Sequence, residues 1–298
     1  MKKGCLLAGA LTLLIMSSGA SLAHADHAWG NYHWARTTTP FTLLIGDNTT
    51  GEWTSILEVT INDWATLAGN TISTTGATVG AWTKQEVIPQ EVIGTAGKRC
   101  KAVLGTTQAC NGKYGYNGWL GLAQIWVSEG HITQGKAKMN DSYFSKAKYN
   151  NPNEKRHVIC QEIAHTFGLG HQSENFSLSL HSCMDYFSNT GSYADSTLST
   201  IPNHHDYEQL SSIYSTHTDA ASTVATTAAA LGRQADENDP GDDNPRQWGR
   251  LLHQSANGRS SIYEQTLEQG VKIVRHVLWT EETATRCPAC DHRFHDKD

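Results

Sequence analysis

The sequence lacks the features that would tie it to nucleic acid. It has 23 lysines and arginines against 29 aspartates and glutamates, a formal charge of −6 with no basic cluster. A nucleic-acid surface needs concentrated positive charge, so that class of partner is disfavoured. Long apolar runs are missing as well. The longest, residues 5–16, is interrupted by Gly9 and Thr12. It falls short of the roughly 20 apolar residues that span a bilayer. Met1-Lys2-Lys3 precedes this run, and Ala23-His24-Ala25 follows it with the small-x-small form of a signal-peptidase site. Together they predict a signal peptide over 1–25, cleavage after Ala25, and a secreted chain, extracellular or periplasmic, with no stable membrane span. Cleavage removes two lysines and no acid, which takes the charge to −8.

Six cysteines then remain, and export places them where disulfides persist. Proximity in sequence favours Cys100–Cys110 and Cys287–Cys290, which leaves Cys160 with Cys183.

Residues 41–45 read as a strand closed by Gly46-Asp47-Asn48. Trp53, Leu57, Ile61 and Trp64 recur at helical spacing, so 50–68 reads as an amphipathic helix. Residues 69–118 are rich in Gly, Thr and Asn and read mainly as loop. Residues 119–127 (WLGLAQIWV) form an apolar run of strand length, and 131–141 a more polar strand. Asn151-Pro152-Asn153-Glu154 is a helix-start signal: an N-cap, proline at the first helical position, and a glutamate placed for a capping box. That helix should run from 152 to Gly168, since glycine accepts the left-handed conformation of a helix exit. A further helix is expected over 206–214. Residues 216–247, first Ala/Thr-rich and then acidic, read as a linker. Residues 248–280, with the turn signal Ala256-Asn257-Gly258, read as a small antiparallel β unit, and 281–298 as a polar tail. Cys287, Cys290, His292 and His295 lie too close together for a zinc finger, so a local disulfide is the better reading.

The chemistry lies in Cys160-Gln161-Glu162-Ile163-Ala164-His165-Thr166-Phe167-Gly168-Leu169-Gly170-His171. Residues 161 and 165 are one helical turn apart and share a face. Glu162 is one step round. Gly168 lets the chain turn back and bring His171 to the same point. Apart from glutamine in first place, this is H-E-x-x-H-x-x-G-x-x-H. Downstream, Ser182-Cys183-Met184-Asp185-Tyr186 resembles a Met-turn.

These two motifs resemble those of the metzincin zinc peptidases, over roughly 30–215 and most closely over 157–186. The resemblance implies an α+β fold: a twisted mixed sheet, an active-site helix, a Met-turn, and a cleft along the edge strand. The peptidase domain would cover 26–215, followed by the linker and a small C-terminal β appendage. It also implies one catalytic Zn2+, held by His165, His171 and Gln161, and a protein or peptide substrate. Glu162 would be the general base toward a zinc-activated water, Tyr186 would stabilise the oxyanion, and Met184 and Gly168 would support the site. Cys160–Cys183 would tie the helix to the Met-turn.

Glutamine at 161 departs from the pattern, because an amide oxygen is a weaker zinc donor than imidazole. Gln161 is a ligand in one reading. In another, His157, His204 or His205 completes the site. In a third the metal is lost, and the domain is an inactive peptide-binding module. A fourth reading from another class is a polymer- or surface-binding protein acting through 248–280. His131, His181, His217, His253 and His276 stand alone in sequence and read as surface or hydrogen-bonded residues.

Overall fold

The computed structural model describes residues 27–97, 99–221, 244–267 and 270–294. The expected signal peptide and most of the expected linker, 222–243, lie outside the described residues. The fold is mixed α+β, with few helices around one large mixed sheet. Its strands are β1 (His33–Trp34), β2 (Phe41–Asn48), β3 (Val87–Ile93), β4 (Thr106–Gly112), β5 (Trp119–Ser128), β6 (His131–Asn140), β7 (Arg250–Gln254), β8 (Ser260–Thr266) and β9 (Lys272–Trp279). Its helices are α1 (Glu52–Ala65), α2 (Asp141–Phe144), α3 (Pro152–His165), α4 (His204–Tyr214) and α5 (Glu281–Arg286). No helix among the described residues is long and apolar enough to cross a membrane.

The strand order is β3-β2-β4-β6-β5-β9-β8-β7, with β1 beside β6. Strands β3, β2, β4 and β6 run parallel. β5 is antiparallel to β6, and from there to β7 every pairing is antiparallel. α1 crosses between the parallel strands β2 and β3 as such a connection requires. Trp53, Leu57, Ile61 and Trp64 are buried there, the stripe the sequence spacing predicts.

Two expectations need correction. The stretch 69–118 contains strands β3 and β4, hidden in sequence because β4 (TTQACNG) is polar and β3 carries Pro89. β3 is an edge strand, where proline is tolerated. The second correction matters for function. Residues 248–280 do form an antiparallel unit, but not an appendage. β9 pairs along β5 from Trp119↔Trp279 to Val127↔Lys272. β5 is therefore an internal strand, buried on both faces, which explains its unbroken apolarity. Ala123, Ile125, Val274 and Leu278 face α3, while Trp119, Leu122, Val277, Trp279 and Trp248 pack on the other side. The expected tail contains α5, and its buried Arg293 donates to Gly249 O at 2.5 Å.

All three expected disulfides form: Cys100–Cys110, Cys160–Cys183 and Cys287–Cys290. Asn151 caps α3 by accepting from Glu154 N at 2.8 Å. Glu154 does not close the expected capping box. Its carboxylate accepts from Asn189 N at 2.7 Å, tying the helix start to the loop beyond the Met-turn-like segment. The full box occurs instead at α4. Asn203 accepts from Asp206 N, and Asp206 Oδ2 accepts from Asn203 N at 2.7 Å. Asn203 Nδ2 also donates to Leu180 O at 2.8 Å. Asn203→Ala should lower stability by roughly 1–2 kcal/mol, the upper range for a lost cap because the part-buried Leu180 carbonyl loses its donor as well. Urea denaturation monitored by tryptophan fluorescence would measure it.

Candidate metal centre

α3 carries Gln161, Glu162 and His165 into the core, all of them fully buried. At its end, Gly168 adopts φ +95°, and a Cβ there would collide with Tyr32 O, so the position needs glycine. The exit turn is held by the strand-like segment 27–29. Trp29 N donates to Gly168 O at 2.6 Å, and Gly170 N donates to His27 O. The turn brings His171 back beside His165, with ring centroids 4.6 Å apart.

The third member of the cluster is His276, from β9. Its ring centroid lies 4.0 Å from that of His165 and 4.4 Å from that of His171. One ligand nitrogen from each of the three residues falls within 4.8 Å of the others. The pairing Ala123↔His276 fixes this position: it points His276 to the α3 face, between Val274 and Leu278. Sequence reading set His276 aside as a lone histidine. The available signal was a polar side chain between Val274 and Leu278 on one face of an alternating strand.

Gln161 has its amide nitrogen committed to the Met184 turn. Its Nε2 donates to Cys183 O at 3.0 Å and to Asp185 O at 2.9 Å, gripping the Ser182–Tyr186 turn from the helix side. Its Oε1 is buried without a hydrogen bond. His157 is buried beside it, 3.4 Å from Gln161 Nε2, and lies outside the histidine cluster. His204 and His205 are engaged elsewhere, with Asn70 O at 2.8 Å and Glu208 Oε2 at 3.1 Å. Among the described histidines, His157, His204 and His205 do not join the cluster, and His276 does.

The donor set fits a zinc ion. His165 Nδ1 lies 2.7 Å from Leu169 O, so Nδ1 carries the proton and Nε2 presents a lone pair. His165 Nε2 and His171 Nε2 are 3.2 Å apart. Two nitrogens on one tetrahedral zinc stand about 3.3 Å apart, given the usual zinc–nitrogen bond length. Both ring nitrogens of His276 are buried without hydrogen bonds, an arrangement that a metal would relieve. Burial holds the His165 pKa down at about 4. Burial, then the neighbouring imidazoles, lowers those of His171 and His276. All three are thus neutral near pH 7, the form that binds metal.

Glu162 faces β5 at Gly121, where a Cβ would run into its carboxyl. Burial pushes this carboxyl well above the usual range, with the Ala123 amide opposing. Tyr186 sets its ring 4.0 Å from that of His171 at a tilt of 58°, but its hydroxyl donates to Ser260 Oγ of β8. Met184 is buried, with its amide donating to Ser182 Oγ at 2.8 Å and its carbonyl accepting from Gln172 N at 2.7 Å. Ser182 Oγ in turn donates to Asp206 Oδ2 at 2.6 Å. Asp206, at the start of α4, thus anchors the turn, a role sequence reading missed because only the fold brings α4 beneath it.

No protein-family profile matches the chain. No curated protein matches it either.

Proposed function

We propose that this chain is an exported zinc protein of metzincin-like build, a peptidase-type centre that its own C-terminal strand holds shut. The observation that carries the reading is the convergence of His165, His171 and His276, with Glu162 three residues before His165 on the same helix. The motif spacing, the Met184 turn that Gln161 grips from α3, and the Cys160–Cys183 link between helix and turn support it. The three disulfides support export to an oxidising compartment.

His165, His171 and His276 would hold the ion. Zinc, when bound, supplies Lewis acidity toward a water molecule and a carbonyl oxygen. Glu162 accepts the proton of the attacking water at a carboxyl oxygen and passes it to the leaving amine. β9 occupies the β5 edge along which an extended peptide would pair. β8 engages the Tyr186 hydroxyl through Ser260. Peptide access therefore requires β8 and β9 to move. Tyr186 OH is then free to donate to a developing oxyanion, and Gln161 Oε1 is the donor left on the α3 face in place of His276.

The burial of Glu162, His165 and His276 favours a second reading, in which the closed centre is structural and the domain does no chemistry. Zinc-loaded protein should hydrolyse an unfolded protein substrate slowly. Weakening the β5–β9 ladder by Val274→Pro should speed that hydrolysis at least tenfold, and adding Glu162→Gln should abolish it. An opened chain that holds zinc yet leaves the substrate intact would favour the structural reading.

A further inference from the structure

A second group of metal-ligating side chains gathers on β1, whose Trp34 donates to Thr166 O at 2.7 Å just past the end of α3. His33 of β1 and His131 of β6 are register partners, with rings 4.8 Å apart. The segment leaving α4 brings His217 against His33, with rings 4.9 Å apart, and Asp219 beneath both. His33, His217 and Asp219 each offer a ligand atom, and those atoms lie within 4.8 Å of one another.

The protons are arranged for a ligand set. His33 Nδ1 lies 3.0 Å from Asn31 O and so carries its proton toward that carbonyl, which leaves Nε2 as a lone pair. That Nε2 is 3.2 Å from His217 Nε2, close to the spacing of two nitrogens on one tetrahedral zinc, about 3.3 Å. Asp219 is fixed from behind. Its Oδ2 accepts from Arg36 N at 3.0 Å and lies 3.6 Å from Arg36 Nη1, while its own N–H donates to Arg36 O at 2.7 Å. This leaves Oδ1 facing the histidines, 3.8 Å from His217 Nε2. His131 Nε2, 3.0 Å from the same oxygen, orients the carboxylate as an outer partner does around a metal ligand. Among the described residues Arg36 is the cation packed against the group. Its Nη2 donates to Tyr214 O and His217 O, so the guanidinium is turned toward carbonyls rather than toward the histidine nitrogens. The His217 side chain is 45% exposed, which gives an ion a path from solvent.

We propose that His33, His217 and Asp219 form a second zinc site, independent of the buried centre, which pins the segment after α4 to β1. Two imidazoles and one carboxylate are a zinc donor set, and the exposed side leaves the fourth position to water. The competing account is an ordinary N–H···N hydrogen bond between the two rings, and the two accounts differ in metal count.

Zinc alone, titrated into chelator-stripped full-length chain and followed by calorimetry and by metal analysis after desalting, decides between them. His217→Ala and His33→Ala should each bind one equivalent fewer than the parent. His165→Ala/His276→Ala should keep the equivalent that His217→Ala loses. His131→Gln should retain this equivalent but weaken it roughly 10- to 100-fold, as loss of an outer partner does. A parent and a His217→Ala variant with the same zinc count and affinity would overturn the proposal. His217 is a surface residue, so circular dichroism matching the parent keeps that comparison valid even if the double variant fails to fold.

Discussion

His276→Ala should weaken zinc binding at the buried centre far more than Gln161→Ala does, because the amide oxygen of Gln161 is the poorer donor that is left when the imidazole is gone. His276 is the only imidazole besides His165 and His171 in that cluster among the described residues, and both of its nitrogens are unsatisfied without an ion. Removing a direct ligand should cost more than the roughly 10- to 100-fold in affinity typical of an outer-shell loss. Gln161 bonds to the turn through its Nε2, so its truncation should show mainly as lost stability, with two carbonyls, Cys183 O and Asp185 O, left without their donor. Competition against a chromophoric chelator measures both variants. The reverse pattern, with zinc kept in His276→Ala and lost in Gln161→Ala, would return the ligand role to the amide oxygen.

The second large effect concerns the Cys160–Cys183 disulfide. It closes a loop with a sequence separation of 23 that contains the exit turn, His171 and the segment leading to Met184. The chain-entropy estimate for a loop of this length is about 3 kcal/mol. Cys160 and Cys183 are both fully buried in the main core, so paired alanines also leave a small void. The Cys160→Ala/Cys183→Ala protein should therefore lose at least about 3 kcal/mol in guanidinium unfolding. It should also bind zinc more weakly, because the helix carrying His165 and the turn beneath it are no longer tied. A loss confined to stability, with zinc affinity intact, would show that Gln161 and the Ser182–Asp206 bond hold the turn unaided.

Hydrolysis ties these effects to the proposed function. If the centre is a shut peptidase, the same strand that completes the metal site also denies the substrate its edge. Its histidine and its backbone then act together, and release of one releases the other. Edge strands are common sites for pairing with a further strand, and here the chain supplies that strand from within.

Local chemistry wrote much of this protein into its sequence. The α3 start follows from Asn151 and Pro152, the α1 face from apolar residues at helical spacing, and the His165–Gly168–His171 arrangement from helix geometry plus a glycine exit. The three disulfide pairs followed from order along the chain. Each of these depends on residues close together in sequence, so periodicity and turn chemistry reach them. What the tertiary structure decided lies at long range. β4 is polar and β3 carries Pro89, so both strands are defined by their partners and not by their own composition. His276 is far from His165 in sequence, and its one local mark is a place between Val274 and Leu278 on an apolar face; it becomes a candidate ligand because the β5–β9 register sets it opposite Ala123 on the α3 face. His33, His131, His217 and Asp219 likewise meet through the β1–β6 pairing and the path of the chain after α4. A side chain's chemistry is fixed by its identity, but the partners that turn it into a ligand are chosen by strand pairing.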